Sequence, residues 1–185
     1  MTLPSSGTIT LQQIATEFGG DAPHSLSEYY RGGAYTTSNN TNVPTSGAIA
    51  LTDFYGAVKQ IFYAATGGTI TTSGNYKYHT FTGSGTFQVT TAGLATDGID
   101  YVVVAGGGGS GQDNSGGAGA GGMIAVAGAS KSTGSYTITV GGGGAGNSSA
   151  GTQGSASSGL GTSTTGGGRG SSWGTRTGGT GGSGG

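Results

Sequence analysis

Cysteine is absent from the 185-residue sequence. Disulfides, thiolate catalysis and cysteine-ligated zinc or iron–sulfur sites are therefore excluded, and cysteine usage says nothing of the redox compartment. Charge is scarce as well: 7% of residues are charged, against about 25% in ordinary soluble domains. Six basic and seven acidic residues leave a net charge of −1, which provides no electrostatic footprint for nucleic acid or an anionic membrane surface. Apolar residues make up only 31%, where about 45–50% is usual, and no apolar run reaches the roughly 18 residues of a membrane-crossing helix. The first residues lack the basic start and apolar stretch of a signal peptide, so the expectation is synthesis in the cytoplasm without membrane insertion. His24 and His79 are the only histidines. Neither stands in the local context of a triad or a metal motif, so no enzyme and no cofactor are expected.

What is present instead is glycine, 46 residues of it. Split at Ala105, the chain has 14 glycines before and 32 after, while nine of its 13 charged residues fall in the first part. Ordering those 32 glycines costs on the order of 15–30 kcal/mol relative to alanine by simple summation. Extended helices with three residues per turn are one offset, because glycine segments can then pack closely and bond to one another through N–H and C=O groups. The runs 106–109, 141–144 and 166–168 fit a chain that crosses one glycine layer several times. A flexible Gly/Ser linker is the alternative.

The first part contains an echo: Pro4-Ser5-Ser6-Gly7-Thr8-Ile9-Thr10-Leu11 returns as Pro44-Thr45-Ser46-Gly47-Ala48-Ile49-Ala50-Leu51, and Leu26-Ser27-Glu28-Tyr29-Tyr30 as Leu51-Thr52-Asp53-Phe54-Tyr55. Each Pro-x-Ser-Gly is a turn signal. Thr10 with Gln13, and Ser25 with Glu28, have capping-box spacing, so short helices are expected, the first with Leu11, Ile14 and Phe18 on one face and ended by Gly19-Gly20. Leu11, Ile14, Phe18, Leu26, Tyr29, Tyr30, Leu51, Phe54 and Tyr55 make a small core for a unit that is marginal alone. They are expected to act in docking and oligomer contacts, with partner chains completing the core; a self-contained helical domain is the alternative.

From Ile61 the pattern turns to strands: 61–64, 69–72, 76–81 and 86–90, separated by Gly-Gly, Ser-Gly-Asn and Gly-Ser-Gly, which read as hairpin turns. Residues 99–104 read as a fully buried strand at the sheet's centre, followed by strands at 123–127 and 136–140, with none expected after Val140. The expected fold is mainly β with short N-terminal helices, a small β-sandwich-like sheet and polyglycine-II-like loops. Its segments are 1–60, a docking repeat; 61–140, the strands and first glycine excursion; and 141–185, a glycine tract that is either a frayed terminus or part of a longer chain.

Residues 4–32 and 43–56 resemble the N-terminal segments of tail and fibre proteins of tailed bacteriophages, especially marine and cyanobacterial ones. Phe81-Thr82-Gly83-Ser84-Gly85-Thr86-Phe87, Asp100-Tyr101-Val102-Val103-Val104-Ala105 and Tyr136-Thr137-Ile138-Thr139-Val140-Gly141-Gly142 resemble the glycine-rich domain of phage tail fibres and adhesins. The resemblance implies a structural virion protein: a homotrimeric tail fibre, anchored to tail or baseplate proteins by its N-terminus and directed at a host surface glycan or protein. Other virion components, such as a capsid decoration or collar protein, and a glycine-rich glycan- or ice-binding module are the alternatives.

The remaining motifs have plainer explanations. Gly117-Ala118-Gly119-Ala120-Gly121-Gly122 meets the G-x-G-x-x-G pattern only because the tract is so rich in glycine, with no following helix. Asp97, Asp100, Asp113 and Asn114 carry oxygen ligands for calcium, yet turn chemistry accounts for them. Asn39 and Asn147 fit a glycosylation pattern that is idle without a secretory route. Arg169, Trp173 and Arg176 form a candidate receptor-contact patch; the alternative is that Trp173 staples glycine segments together.

Overall fold

A computed structural model describes residues 3–59, 61–93, 97–112, 116–174 and 177–182. The chain divides into two compact units, Met1–Ile61 and Phe62–Gly185, and is mainly β with one short N-terminal helix.

In the N-terminal unit, Thr10 starts α1 (Leu11–Phe18) with a two-way cap. The Gln13 N–H donates to Thr10 Oγ1 at 3.2 Å, and the Thr10 N–H donates to Gln13 Oε1 at 2.8 Å, which satisfies N–H groups that a helix start leaves orphaned. Gly19 ends the helix at φ 87°, in the left-handed region that favours glycine. The device recurs at two 3₁₀ turns. At Leu26–Tyr29 the Ser25 N–H donates to Glu28 Oε1 at 3.1 Å; at Leu51–Phe54 the Ala50 N–H donates to Asp53 Oδ2 at 2.8 Å, but Ala50 has no hydroxyl to return the bond.

Ile14, Ala15 and Phe18 of α1 join Leu3, Ile9, Tyr29, Val43, Phe54 and Ala57 in one buried cluster. Phe18, Tyr29 and Phe54 form its centre, with ring centroids 6.1 to 6.4 Å apart, and such pairs add about 0.5–1.5 kcal/mol each beyond the area they bury. Because Ile14, Tyr29, Val43 and Phe54 are fully buried by their own chain, burying them needs no partner chain. Aromatic volume is what compensates here for the shortage of aliphatic side chains.

The sequence echo has a structural counterpart. The Gly56 N–H donates to the Pro4 carbonyl and the Arg31 N–H to the Pro44 carbonyl, both at 3.0 Å. The Tyr55 hydroxyl donates to the Gly7 carbonyl, and the Tyr30 hydroxyl to the Gly47 carbonyl. Each Pro-x-Ser-Gly turn is thus closed by the tyrosine-bearing turn of the other copy.

The second unit contains β1 (Ala64–Thr66), β2 (Thr69–Ser73), β3 (Tyr76–Thr80), β4 (Gly85–Thr91), β5 (Ile99–Val104), β6 (Met123–Ala129), β7 (Gly134–Ile138), β8 (Ser157–Gly159) and β9 (Thr162–Thr164). β4 lies between β1 and β7, while β2–β3, β5–β6 and β8–β9 are two-stranded ribbons, all antiparallel. A bridge from Thr139 to Ser158 links β8 to the end of β7. The core holds Phe87, Val89 and Leu160, flanked by Tyr63, Phe81, Ile99, Tyr101, Tyr136 and Ile138.

Three strand expectations are corrected. Of the three expected hairpin turns only Ser73-Gly74-Asn75 makes one: β1 pairs with β4 rather than β2, and β3 does not pair with β4. β5 is not a buried centre. It pairs with β6 alone, and its residues alternate, with Ile99, Tyr101 and Val103 half-buried and Asp100, Val102 and Val104 exposed; an apolar run gives no sign of whether its outer face is covered. β8 and β9 lie beyond Val140, where no strand was expected. They are made of Ser, Thr and Gly, so hydrophobic periodicity is blind to them. The turn between them has positive φ at both Leu160 and Gly161, the backbone of a tight hairpin turn, and this unusual conformation for leucine accompanies its burial in the core.

Candidate functional site in the glycine-rich unit

Six passages, 105–112, 116–122, 141–147, 149–156, 165–170 and 179–182, bond to one another through the backbone. Ala105 and Gly108 donate to Gly122 and Gly119, and Gly106, Gly109 and Gln112 donate to Ser155, Thr152 and Ser149. Gly107 and Ser110 accept from Gly144 and Asn147; Gly106 and Gly109 also accept from Gly167 and Gly170. These bonds span 2.8 to 3.3 Å. Each neighbouring passage is met at every third residue, the period of an extended three-per-turn helix, so the passage 105–112 is bonded to four others. Close approach requires the glycines: a Cβ on Gly106 would collide with the Gly142 carbonyl, one on Gly154 with the Gly106 carbonyl, and one on Gly167 with the Gly119 carbonyl. This is a bonded layer and not a linker.

The family described as a glycine-rich domain matches residues 80–185. The chain belongs to this family. No curated protein and no solved structure matches the chain.

The second unit carries an open cleft of about 750 Å³. Tyr78 and His79 of β3, Val102 and Val104 of β5, Ala125 of β6, and Ile138 line it, among others. Val102 is 60% exposed, and Val104, Met123 and Ile124 are exposed as well. On the β2–β3 ribbon Tyr76 and Tyr78 are exposed, their ring centroids 6.4 Å apart. None of these residues was assigned to a site from the sequence, where residues 99–104 read as a buried strand and His79 as a histidine without catalytic context.

Arg169 is exposed, and its carbonyl accepts from the Gly179 N–H at 2.8 Å. Trp173 is 65% exposed. Arg176 lies outside the described residues, as do Asp113 and Asn114. Asp100 Oδ1 accepts from the Gly128 N–H at 2.7 Å. Among the described residues, no three His, Cys, Asp or Glu side chains are grouped to hold a metal, and no helix is long and apolar enough to cross a membrane. His79 Nδ1 lies 2.9 Å from the Gly67 carbonyl oxygen, with its ring edge-on to Phe87.

In the N-terminal unit Ile14, Phe18, Tyr29 and Phe54 are buried, whereas Leu11, Leu26, Tyr30, Leu51 and Tyr55 are half-buried. The Tyr29 hydroxyl donates to the Gly19 carbonyl at 2.9 Å and lies 3.3 Å from His24 Nδ1. Burial foremost, then the Glu28 carboxylate and Tyr35, hold its pKa above the usual 10.0.

Proposed function

We propose that this chain is a structural virion protein, a tail fibre of a tailed bacteriophage. Its N-terminal unit docks on the tail or baseplate, its glycine-rich domain projects outward for host attachment, and it assembles as a homotrimer. The observation that carries this reading is the pairing of two differently built units: a closed aromatic core on Pro-x-Ser-Gly turns, which bear the resemblance to tail proteins, and a glycine-rich domain held by backbone bonds every third residue. Such a layer gains order without side-chain volume or charge, which suits a projecting element. Leu11, Leu26, Tyr30, Leu51 and Tyr55 are the docking candidates, and Arg169 and Trp173 the host-contact candidates together with Arg176. No catalytic role is assigned.

The test is a pull-down of the full chain, and of residues 1–61, on purified tails that lack fibres. Binding by both, at a copy number in multiples of three, is the expected result. Failure of both, or a copy number that follows capsid symmetry, overturns the fibre reading in favour of another virion component.

A further inference from the structure

Along 105–112 a three-per-turn backbone presents three rows of N–H groups and three rows of carbonyls. The N–H groups of Ala105 and Gly108 reach 116–122, and those of Gly106 and Gly109 reach 149–156. The carbonyls of Gly107 and Ser110 accept from 141–147, and those of Gly106 and Gly109 from 165–170. The third row of each kind is left over. Among the described residues, the N–H groups of Gly107 and Ser110 find no acceptor and the Gly108 carbonyl no N–H donor, and on the neighbouring passage the N–H groups of Gly143 and Gly146 are likewise unmatched. Around 105–112 the four neighbours bond in sequence, 116–122 to 165–170 to 149–156 to 141–147, but the first and last do not bond to each other. The unmatched rows face the gap between them.

The placement of glycine marks the same side. On 149–156 and 165–170 every exposed residue is serine, threonine, glutamine, alanine or arginine, and no glycine is exposed. On 116–122 and 141–147, by contrast, Gly117, Gly143 and Gly146 are exposed. Internal packing does not require glycine there. A Cβ on Gly117 would meet nothing within 4 Å, and one on Gly107, Gly143 or Gly146 would meet nothing nearer than 3.5 Å, an ordinary contact; none of the four has a positive φ. Glycine loses more conformational freedom on folding than any other residue, so glycine placed where the chain itself leaves room for a side chain points to a second body that approaches this backbone closely.

That body has to meet N–H groups three residues apart on a side without bulk or charge. Passages 105–112, 116–122 and 141–147 contain no charged residue, so two copies of this side meet without like-charge repulsion. The side holds unmatched donors and an unmatched acceptor, which makes it complementary to itself. We propose that it pairs with the same side of a second copy of this chain, the Gly107 and Ser110 N–H groups donating to glycine carbonyls across the contact. The contact continues from copy to copy the bonding that joins the passages within one chain. A self-complementary patch joins copies in pairs, so it adds to the proposed homotrimer and does not build it, and neither rests on the other.

Amide hydrogen exchange of the full-length chain, resolved by residue in a concentration series followed in parallel by sedimentation equilibrium, reads the contact directly. Gly106 and Gly109, whose N–H groups bond to Ser155 and Thr152, are expected to be protected throughout. Gly107 and Ser110 are expected to exchange at least tenfold more slowly in the associated chain than in the monomer. Gly143→Gln and, as a second variant, Gly117→Gln are expected to weaken self-association at least tenfold while Gly106 and Gly109 stay protected, which shows the layer intact. Fast exchange at Gly107 and Ser110 in an associated chain, protection of both in a monomer, self-association that both variants leave unchanged, or a chain monomeric at all concentrations overturns the pairing. The tail pull-down judges the fibre reading separately.

Discussion

Tyr55 donates its hydroxyl hydrogen to the carbonyl of Gly7, 48 residues earlier in the chain. Tyr30 does the same to Gly47, so the two copies of the repeat latch each other. Gly7 and Gly47 hold φ at 88° and 84°, where a side chain is strained, and each offers its carbonyl to a tyrosine of the other copy.

Replacing either latch tyrosine by phenylalanine keeps the ring and removes one hydrogen bond. Tyr30→Phe and Tyr55→Phe are each expected to cost about 1 kcal/mol. Urea unfolding of the N-terminal unit measures this, and a change below a few tenths for both would show that the latches are incidental.

Helix capping gives a second prediction. Thr10→Ala removes the acceptor for the Gln13 N–H and is expected to destabilise the unit by about 1 kcal/mol. Thr10→Ser retains the hydroxyl and most of the stability, which the same unfolding curves would register.

The glycine layer sorts its own positions. Gly154→Ala and Gly167→Ala force a methyl group into a neighbouring backbone and are expected to open the layer, read as faster amide hydrogen exchange across 105–112. Gly142→Ala meets nothing within 4 Å and is expected to leave exchange unchanged. Equal effects at all three sites would contradict close packing as the reason for glycine.

Tyr29 links stability to alkaline pH. Its folded pKa is raised above 10.0, by burial first and then by Glu28 and Tyr35. Its contribution is therefore fully present below the unfolded value near 10 and is lost as pH rises through the higher folded value. Tyr29→Phe is expected to cost about 1 kcal/mol at neutral pH through the lost bond to Gly19, and to lose less stability than the native chain as pH climbs past 10.

How much was legible in the sequence depended on which interaction decided each element. The caps at Thr10 and Ser25, the α1 face of Ile14 and Phe18, and the stop at Gly19 were readable because they depend on residues within one turn. The three-residue packing of the glycine runs was readable only as one of two alternatives, because a flexible Gly/Ser linker has the same composition, and the backbone bonds between passages decide between them. The partner of β1, the exposed face of β5 and the hairpin of β8 and β9 were not, because they depend on which distant segment arrives beside them. The same limit applied to the candidate site. Trp173 was identifiable as the lone tryptophan, but its exposure was not, and the cleft exists only where β3, β5 and β7 converge.

The sequence by itself determined what this protein is built from: no thiol chemistry, almost no charge, a repeated turn with its tyrosines, and glycine enough that its tract is either bonded between extended segments or left as a flexible linker. Tertiary structure alone decided that the tyrosines latch across copies, that four aromatic and aliphatic anchors are buried within the chain, and that an apolar strand edge stays open. The reason is physical. Turn geometry, capping and glycine's small size act locally, whereas burial and strand pairing are set by which segments meet, and hydroxyls, carbonyls and strand edges are not specific enough to name their partners in advance.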